Sequence, residues 1–143
     1  MRRKAFTLFE LLLAMSLLGM IAAISAPFLS QVVGGNELQT AVDVTVQSLR
    51  RSQTLARTGE DDASWGTYVT PGGVTVFRGT SYATRDAQYD EVTAISVEVG
   101  VSGVQEFVFA PVTGEPGAAG SLTLTSLDES WTVTVNSKGV VTF

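Results

Sequence analysis

The sequence contains no cysteine and no histidine, and only 16% of its 143 residues are charged. Without cysteine, neither a disulfide bond nor thiolate metal chemistry is available. Without histidine, the commonest general base and metal ligand is missing. The sequence also has no glycine-rich phosphate loop and no nucleophile elbow. These absences argue against an enzyme, and no cofactor is predicted.

The charges that are present are mostly acidic. The formal net charge is −5, although Arg2, Arg3 and Lys4 stand together at the start. Beyond Ala5, six basic residues face 14 acidic ones, which gives a net charge of −8. Such a surface repels phosphate groups, so nucleic acid is not an expected partner. Gly, Ser, Thr and Val are abundant after residue 60, as is typical of a β-rich extracytoplasmic domain.

A long uncharged stretch follows the basic start. Residues 11–29 contain no charged side chain. As a helix they would span about 28 Å, close to the ~30 Å hydrocarbon core of a bilayer. Glu10 stands just before this stretch, and a charge at the bilayer centre costs about 2.5–3.5 kcal/mol or more, but less towards the edge. The pattern predicts a single-pass helix with a cytoplasmic N-terminus.

Three kinds of N-terminal segment share a basic start and an apolar run. A secretory signal peptide would be cut after small residues such as Ala26, but Pro27 follows directly and disfavours cleavage there. A plain signal anchor explains the basic end and the apolar run, but not Glu10. In a prepilin-type signal, a short basic leader is removed on the cytoplasmic side and the apolar helix is retained.

The sequence RRKAFTLFE at residues 2–10, followed by an apolar helix with Pro27, resembles type IV pilins and type II secretion pseudopilins. The resemblance implies that a prepilin peptidase cuts between Ala5 and Phe6 and that the new amine of Phe6 is methylated. It implies that Glu10, fifth in the mature chain, pairs with the Phe6 ammonium of a neighbouring subunit and sets the register of assembly. Pro27 falls where many members have a helix-bending proline. Ala5 stands where the family nearly always has glycine.

Amphipathic spacing continues the helix beyond the apolar run. Apolar and small side chains recur every three or four positions, which predicts a stripe that packs on a sheet. The stripe consists of Leu38, Ala41, Val42, Thr45, Val46, Leu49, Gln53 and Ala56. Gly59 is expected to end the helix near Thr58. Arg50, Arg51 and Arg57 lie near this end. We interpret them as charges that complement the helix dipole rather than as contacts to DNA.

Short strand patterns and turn residues fill the rest of the chain. Strands are predicted at residues 64–70, 74–77, 92–99, 105–110, 121–126, 130–135 and 140–143. Polar stretches predict loops over residues 79–88 and 111–120 and a tight turn over residues 136–139. Four aromatic residues are expected in the core rather than on a ligand platform: Trp65, Phe107, Phe109 and Trp131.

These patterns predict an α+β fold in which one long helix packs on an antiparallel β-sheet head, in one sheet or two. The predicted parts are a leader (residues 1–5), a transmembrane and filament-core helix (6–29), an amphipathic half of the helix (30–58) and the head (59–143). The order of helix end and strands resembles the GspH/FimT-like minor pilins and pseudopilins.

Asp86, Asp90 and Glu91, with Asp61 and Asp62 nearby, are candidate ligands for Ca²⁺, which takes several oxygen atoms. Their spacing matches no defined calcium loop, so a solvated acidic loop is the preferred interpretation and no metal is predicted.

The sequence therefore predicts a structural, non-enzymatic subunit of a type IV pilus-like or type II secretion pseudopilus filament. Its expected partners are the prepilin peptidase, other subunits and the membrane protein that forms the assembly platform. It would lie first in the inner or cytoplasmic membrane, then in a filament in the periplasm or at the cell surface. The alternative is a binding module on such a filament, for DNA uptake, adhesion or contact with a secreted substrate. The sequence distinguishes neither the filament system nor a major from a minor subunit.

Overall fold

The computed structural model describes residues 7–59, 62–127 and 129–143, and for residues 24–35 it describes the backbone alone. The chain divides into two compact units, Met1–Val33 and Gly34–Phe143. The described residues form one long helix, one 3-10 turn and eight strands. The fold is α+β, as predicted.

Helix α1 extends over Leu8–Thr58 and ends where the sequence predicts. Gly59 has a φ of +67°, and its amide donates to the carbonyl oxygen of Ala56 at 3.2 Å. This is a left-handed helix end, which favours glycine. The predicted stripe is confirmed, since all its members are buried except Gln53, which is half-buried.

All strand pairs in the head are antiparallel. The strands are β1 (Trp65–Thr70), β2 (Gly73–Arg78), β3 (Asp86–Ala94), β4 (Gly100–Gly103), β5 (Glu106–Phe109), β6 (Gly120–Ser126), β7 (Glu129–Val135) and β8 (Val141–Thr142). They form two four-stranded sheets, with strand orders β3–β2–β1–β5 and β4–β6–β7–β8. The expectation of an antiparallel head in one sheet or two is thus met by two.

A single hydrophobic core joins the second half of α1 to both sheets. Leu49 of the helix, Val69 of β1 and Leu124 of β6 are all fully buried in it. On the outer face of the second sheet, paired hydroxyl groups face solvent instead, such as those of Ser121 and Thr134, 3.0 Å apart. The alternation of buried and exposed residues in β6 follows the two-residue period of a strand with one buried face.

Gln53 fixes two loops against the end of α1. Its side-chain amide donates to the carbonyl oxygens of Gly114 and Gly139, each at 3.0 Å. The amide of Val112 donates to the carbonyl oxygen of Ala56 at 2.8 Å. Gln53 is therefore half-buried because it holds two segments by hydrogen bonds: the predicted loop at residues 111–120 and the predicted turn at residues 136–139.

A second, smaller packing cluster covers the face of the first sheet opposite α1. Phe77 is fully buried there, and the ring of Tyr82 meets it edge-on with 5.6 Å between ring centroids. Tyr82 also stacks on Tyr68 at 4.1 Å, and the Arg85 guanidinium lies 3.8 Å from the Tyr82 ring centroid. The segment between β2 and β3 is therefore packed onto the sheet, and it contains the 3-10 turn Tyr82–Thr84.

Several predicted boundaries in the head were wrong. The predicted strand at residues 92–99 lies earlier, over Asp86–Ala94, so the predicted loop at residues 79–88 is too long. Strand β3 is exposed along most of its length, so it lacks the alternation that marks a half-buried strand. Residues 95–99 form a turn whose Ser96 hydroxyl donates to Glu37 at 2.9 Å. Strand β4 was missed, because its four residues begin and end with glycine.

Trp131 is the one predicted core aromatic that is not buried. Trp65, Phe107 and Phe109 lie in the core, whereas 39% of Trp131 is exposed. It opposes Leu124 towards the end of the β6–β7 hairpin where the two strands are connected, and β7 residues 129–132 are all exposed. The expectation of a core position for Trp131 was therefore wrong.

Candidate functional site

The candidate assembly segment is the N-terminal part of α1, and its first turn is capped by Thr7. The Glu10 amide donates to the Thr7 hydroxyl at 3.3 Å, and the Leu11 amide donates to the Thr7 carbonyl at 3.2 Å. Thr7 and Glu10 have the spacing of a capping box, in which a threonine before the helix bonds the amide three residues on. The negative charge of a carboxylate in the first turn is also stabilised by the positive end of the helix dipole.

Apolar side chains in this segment are exposed all round the helix. Ten of them are between 49% and 78% exposed. They are Leu8, Phe9, Leu11, Leu12, Leu13, Met15, Leu17, Leu18, Met20 and Ile21. Because the set includes consecutive residues, it is not one amphipathic face but a helix that is apolar on every side. Such a surface requires lipid or other protein to cover it.

The remaining predicted positions of this segment lie outside the described side chains. Ala5 and Phe6 precede the described residues, and at Pro27 only the helical backbone is described. Glu10 is exposed, and no ion pair joins its carboxylate to another residue of the described ranges. Among the described residues, no helix combines the length and the hydropathy that crossing a membrane requires.

The family model for the prokaryotic N-terminal methylation motif matches residues 1–26. By this match the chain is similar at its N-terminus to type IV pilins and pseudopilins. The match covers the basic leader, Glu10 and most of the apolar run, and it supports a pilin-like precursor of the kind that prepilin peptidase processes. No curated protein and no solved structure matches the chain.

The three candidate calcium ligands of this pilin-like chain, Asp86, Asp90 and Glu91, are not directed at one common site. The Arg85 Nε lies 2.8 and 3.0 Å from the two Asp90 oxygens, and Arg51 donates to Glu91 at 2.9 and 3.2 Å. Asp86 accepts from the amide of Gln88 at 3.2 Å. In the described ranges, no three acidic side chains lie close enough to hold a metal ion. Two of the three carboxylates therefore serve ion pairs within the head.

These ion pairs shift the ionisation of their members. Hydrogen bonds from Arg51 hold the pKa of the Glu91 carboxyl below its ordinary value, although partial burial opposes the shift. The Asp90 carboxylate in turn raises the pKa of Arg85, chiefly through the hydrogen bond. Both pairs tie strand β3 to other elements, to α1 through Arg51 and to the segment before β3 through Arg85.

The arginines at the end of α1 have different surroundings. Arg51 faces β3, whereas the side chain of Arg57 covers Gly114, so closely that a Cβ there would lie 2.6 Å from the Arg57 Nε. Arg50 is exposed. The structure therefore gives two of these arginines separate partners within the fold.

Two features of the structure were not predicted from the sequence. One is the cap at Thr7, which the Thr-x-x-Glu spacing signals. The other is a groove of about 310 Å³ between α1 and the first sheet. It is lined by Val44, Gln47, Ser48, Arg51, Val76, Glu91 and Thr93. No sequence signal reveals this groove, because its two walls are distant along the chain.

Proposed function

We propose that this chain is a structural, non-enzymatic subunit of a type IV pilus-like or type II pseudopilus filament, and that it is a minor, GspH/FimT-like subunit. The observation that carries the proposal is the Phe6-to-Glu10 sequence within the matched methylation motif. The apolar, exposed helix that follows supports it. The absence of cysteine and histidine from the sequence supports a non-enzymatic role.

In this proposal, prepilin peptidase cuts between Ala5 and Phe6, and the Phe6 amine is then methylated. The helix over residues 6–29 is held in the inner or cytoplasmic membrane until an assembly platform protein transfers the subunit to the filament. The same apolar side chains are covered by lipid first and by neighbouring helices afterwards. Burial of apolar surface stabilises either state by about 25 cal/mol per Å². A bend at Pro27 would adapt the helix to its neighbours.

Glu10 has two roles in this account. In the single subunit it lies in the capped first turn, next to Thr7 and near the positive end of the helix dipole. In the filament it meets the Phe6 ammonium of a neighbouring subunit in a dry environment. Because a buried charge without a partner is costly, the pair selects one register of assembly more than it adds stability.

The test compares two substitutions of Glu10. Glu10→Ala should leave membrane insertion intact but abolish incorporation into filaments, measured by immunoblotting of sheared filaments against membranes. Glu10→Gln keeps a residue that suits a capping box but removes the charge, so it should fail in the same way. Asp43→Ala, at an exposed carboxylate farther along α1, is the matched control. Normal incorporation of either Glu10 variant would refute the role of the charge.

The charge distribution of the head supports a protein partner rather than nucleic acid. After Gly59 the sequence has three basic residues. Arg85 pairs with Asp90, Lys138 pairs with Glu115 at 2.8 Å, and the Arg78 guanidinium lies 4.5 Å from the Tyr89 ring centroid. Since phosphate binding needs several basic groups directed at one strand, DNA uptake is the less favoured form of the binding-module alternative.

A further inference from the structure

The four sheet edges of the head are protected to different degrees. The β5 edge is covered by the following loop, through a bridge between Phe109 and Pro116 and a 2.9 Å bond from the Gly117 amide. Strands β4 and β8 are only four and two residues long. Strand β3 has nine residues, and among the described residues only β2 pairs with it. The outer edge of β3 is therefore the long open edge of the head.

The groove lies beside this open edge. Glu91 and Thr93 are alternate residues of β3, and they point to the same side of the sheet as Val76, towards α1. Val44 and Val76 supply apolar surface, and the other lining residues are polar or charged. A strand added to the β3 edge would direct every second side chain to this side of the sheet, where about 310 Å³ is open.

Exposed residues of β3 outside the groove are also available to the same strand. Val92 is 68% exposed, and Asp86 is exposed near the start of the strand. Strand β3 has three acidic residues and no basic one. Asp90 and Glu91 pair with Arg85 and Arg51, whereas no ion pair joins Asp86 to another described residue. The acidic balance of the head discourages pairing with β3 of a second copy, because like charges repel. Together with Asp86 it favours an incoming strand that carries lysine or arginine.

We propose that the β3 edge and its groove bind an extended, basic segment of another protein by strand addition. Backbone hydrogen bonds to β3 hold the segment, aliphatic side chains at alternate positions enter the groove, and a basic side chain meets Asp86. This is the general mode in which main-chain bonds give affinity and pockets for alternate side chains give specificity. The binding does not depend on filament assembly, so its failure leaves the proposed function intact.

The test uses the full chain in detergent micelles and a labelled probe peptide of sequence KVTVKVTV. Three companion peptides are measured: one N-methylated at alternate residues on one edge, one methylated on the other edge, and one with glutamate in place of lysine. Thr93→Trp fills the groove from an exposed strand position. Thr125→Trp makes the same change on the exposed outer face of β6 and serves as the control.

The expected result is saturable binding with a dissociation constant on the order of 100 µM, measured by fluorescence anisotropy. Binding should fall at least about tenfold with the glutamate peptide, with methylation of the edge that faces β3 and with Thr93→Trp, but not with Thr125→Trp. The proposal is overturned by absent saturation, by indifference to both methylated edges, or by equal effects of the two tryptophan variants. It is also overturned if sedimentation shows self-association that Thr93→Trp abolishes, because the occupant is then a second copy.

Discussion

At Gly66 the structure has room for a hydrogen atom and nothing larger. A Cβ there would lie 2.8 Å from Cε1 of Phe77 and 2.9 Å from the Phe107 carbonyl oxygen. Because both neighbours are fully packed, Gly66→Ala should destabilise the fold by about 1–3 kcal/mol, the usual cost of overpacking. The measurement is the midpoint of urea unfolding. Gly117→Ala is the control, since its Cβ would lie 3.8 Å from the Val108 oxygen. Equal shifts in both variants would contradict the packing of Phe77.

The Arg51–Glu91 pair predicts a pH effect. A carboxyl whose folded pKa lies below its unfolded value adds stability above the unfolded pKa, and this is lost as pH falls through the folded pKa. For Glu91 the loss therefore begins near the ordinary value of 4.5 and continues below it. The effect should be small, since both side chains are about half exposed.

Arg51→Gln should raise the Glu91 pKa towards 4.5 and remove its share of the acid destabilisation. Carboxyl-carbon NMR titration measures the pKa directly. Arg50→Gln, at the adjacent exposed arginine, should leave the Glu91 titration unchanged. A Glu91 pKa that does not move in Arg51→Gln would show that the hydrogen bonds to Arg51 do not set it.

At the residue scale, a single unusual residue can be recognised in the sequence, but the side chains that it contacts in the fold cannot. Glu10 could be singled out because a single carboxylate precedes a long uncharged run. The stacking of Tyr82 on Tyr68 and the pairing of Arg85 with Asp90 could not, because they depend on how the segment after β2 folds back over the sheet. The sequence gives no period or spacing that encodes such a return.

At the scale of elements, a buried hydroxyl network sets how α1 lies on the first sheet. The Thr67 hydroxyl lies 3.1 Å from the Ser48 carbonyl oxygen and 2.8 Å from the Ser52 hydroxyl, which lies 3.0 Å from the Leu49 carbonyl oxygen. The two hydroxyl protons supply two of these three contacts at a time. The side chains of Thr67 and Ser52 are both buried. These groups are hydrogen-bonded in a core where an unpaired polar atom is costly.

Thr67→Val keeps the shape of the side chain but removes its hydroxyl group from the network. It should destabilise the fold by about 1–2 kcal/mol, because Ser52 loses a buried partner. Thr132→Val, on the exposed outer face of β7, should change the free energy of unfolding by less than about 0.5 kcal/mol. Urea denaturation measures both. A negligible cost for Thr67→Val would mean that hydrophobic packing alone positions the helix.

The predictability of an element followed the regularity of its burial. Helix α1 has one buried stripe at a period of 3.6, so its end at Thr58 and its packing face were predicted correctly. Strand β6 alternates regularly between buried and exposed residues and was also predicted. Strand β3 is an exposed edge strand whose limits are set by its pairing with β2. Backbone pairing does not produce a hydropathy pattern, so these limits could not be predicted from the sequence.

At the scale of the whole molecule, each unit has its own kind of surface. The described part of the first unit exposes its apolar side chains, while the second unit buries its apolar residues in a core between a helix and two sheets. This contrast is what a subunit requires if its N-terminal segment is covered by lipid and later by other subunits. The fold class was predictable from composition and periodicity, and the candidate assembly segment from its resemblance to the N-terminus of type IV pilins. The groove was not, because it forms between elements about 40 residues apart.

Processing of the N-terminus tests the central claim most directly. The mature chain is isolated from cells with active prepilin peptidase and from peptidase-deficient cells, and its N-terminus is determined by mass spectrometry. The account predicts a chain that begins at a methylated Phe6 in the first case and retains Met1 in the second. Ala5→Gly, which restores the residue usual in the family, should be cut at the same bond. A chain that begins at Met1 or at Pro27 in the peptidase-active cells would contradict the account.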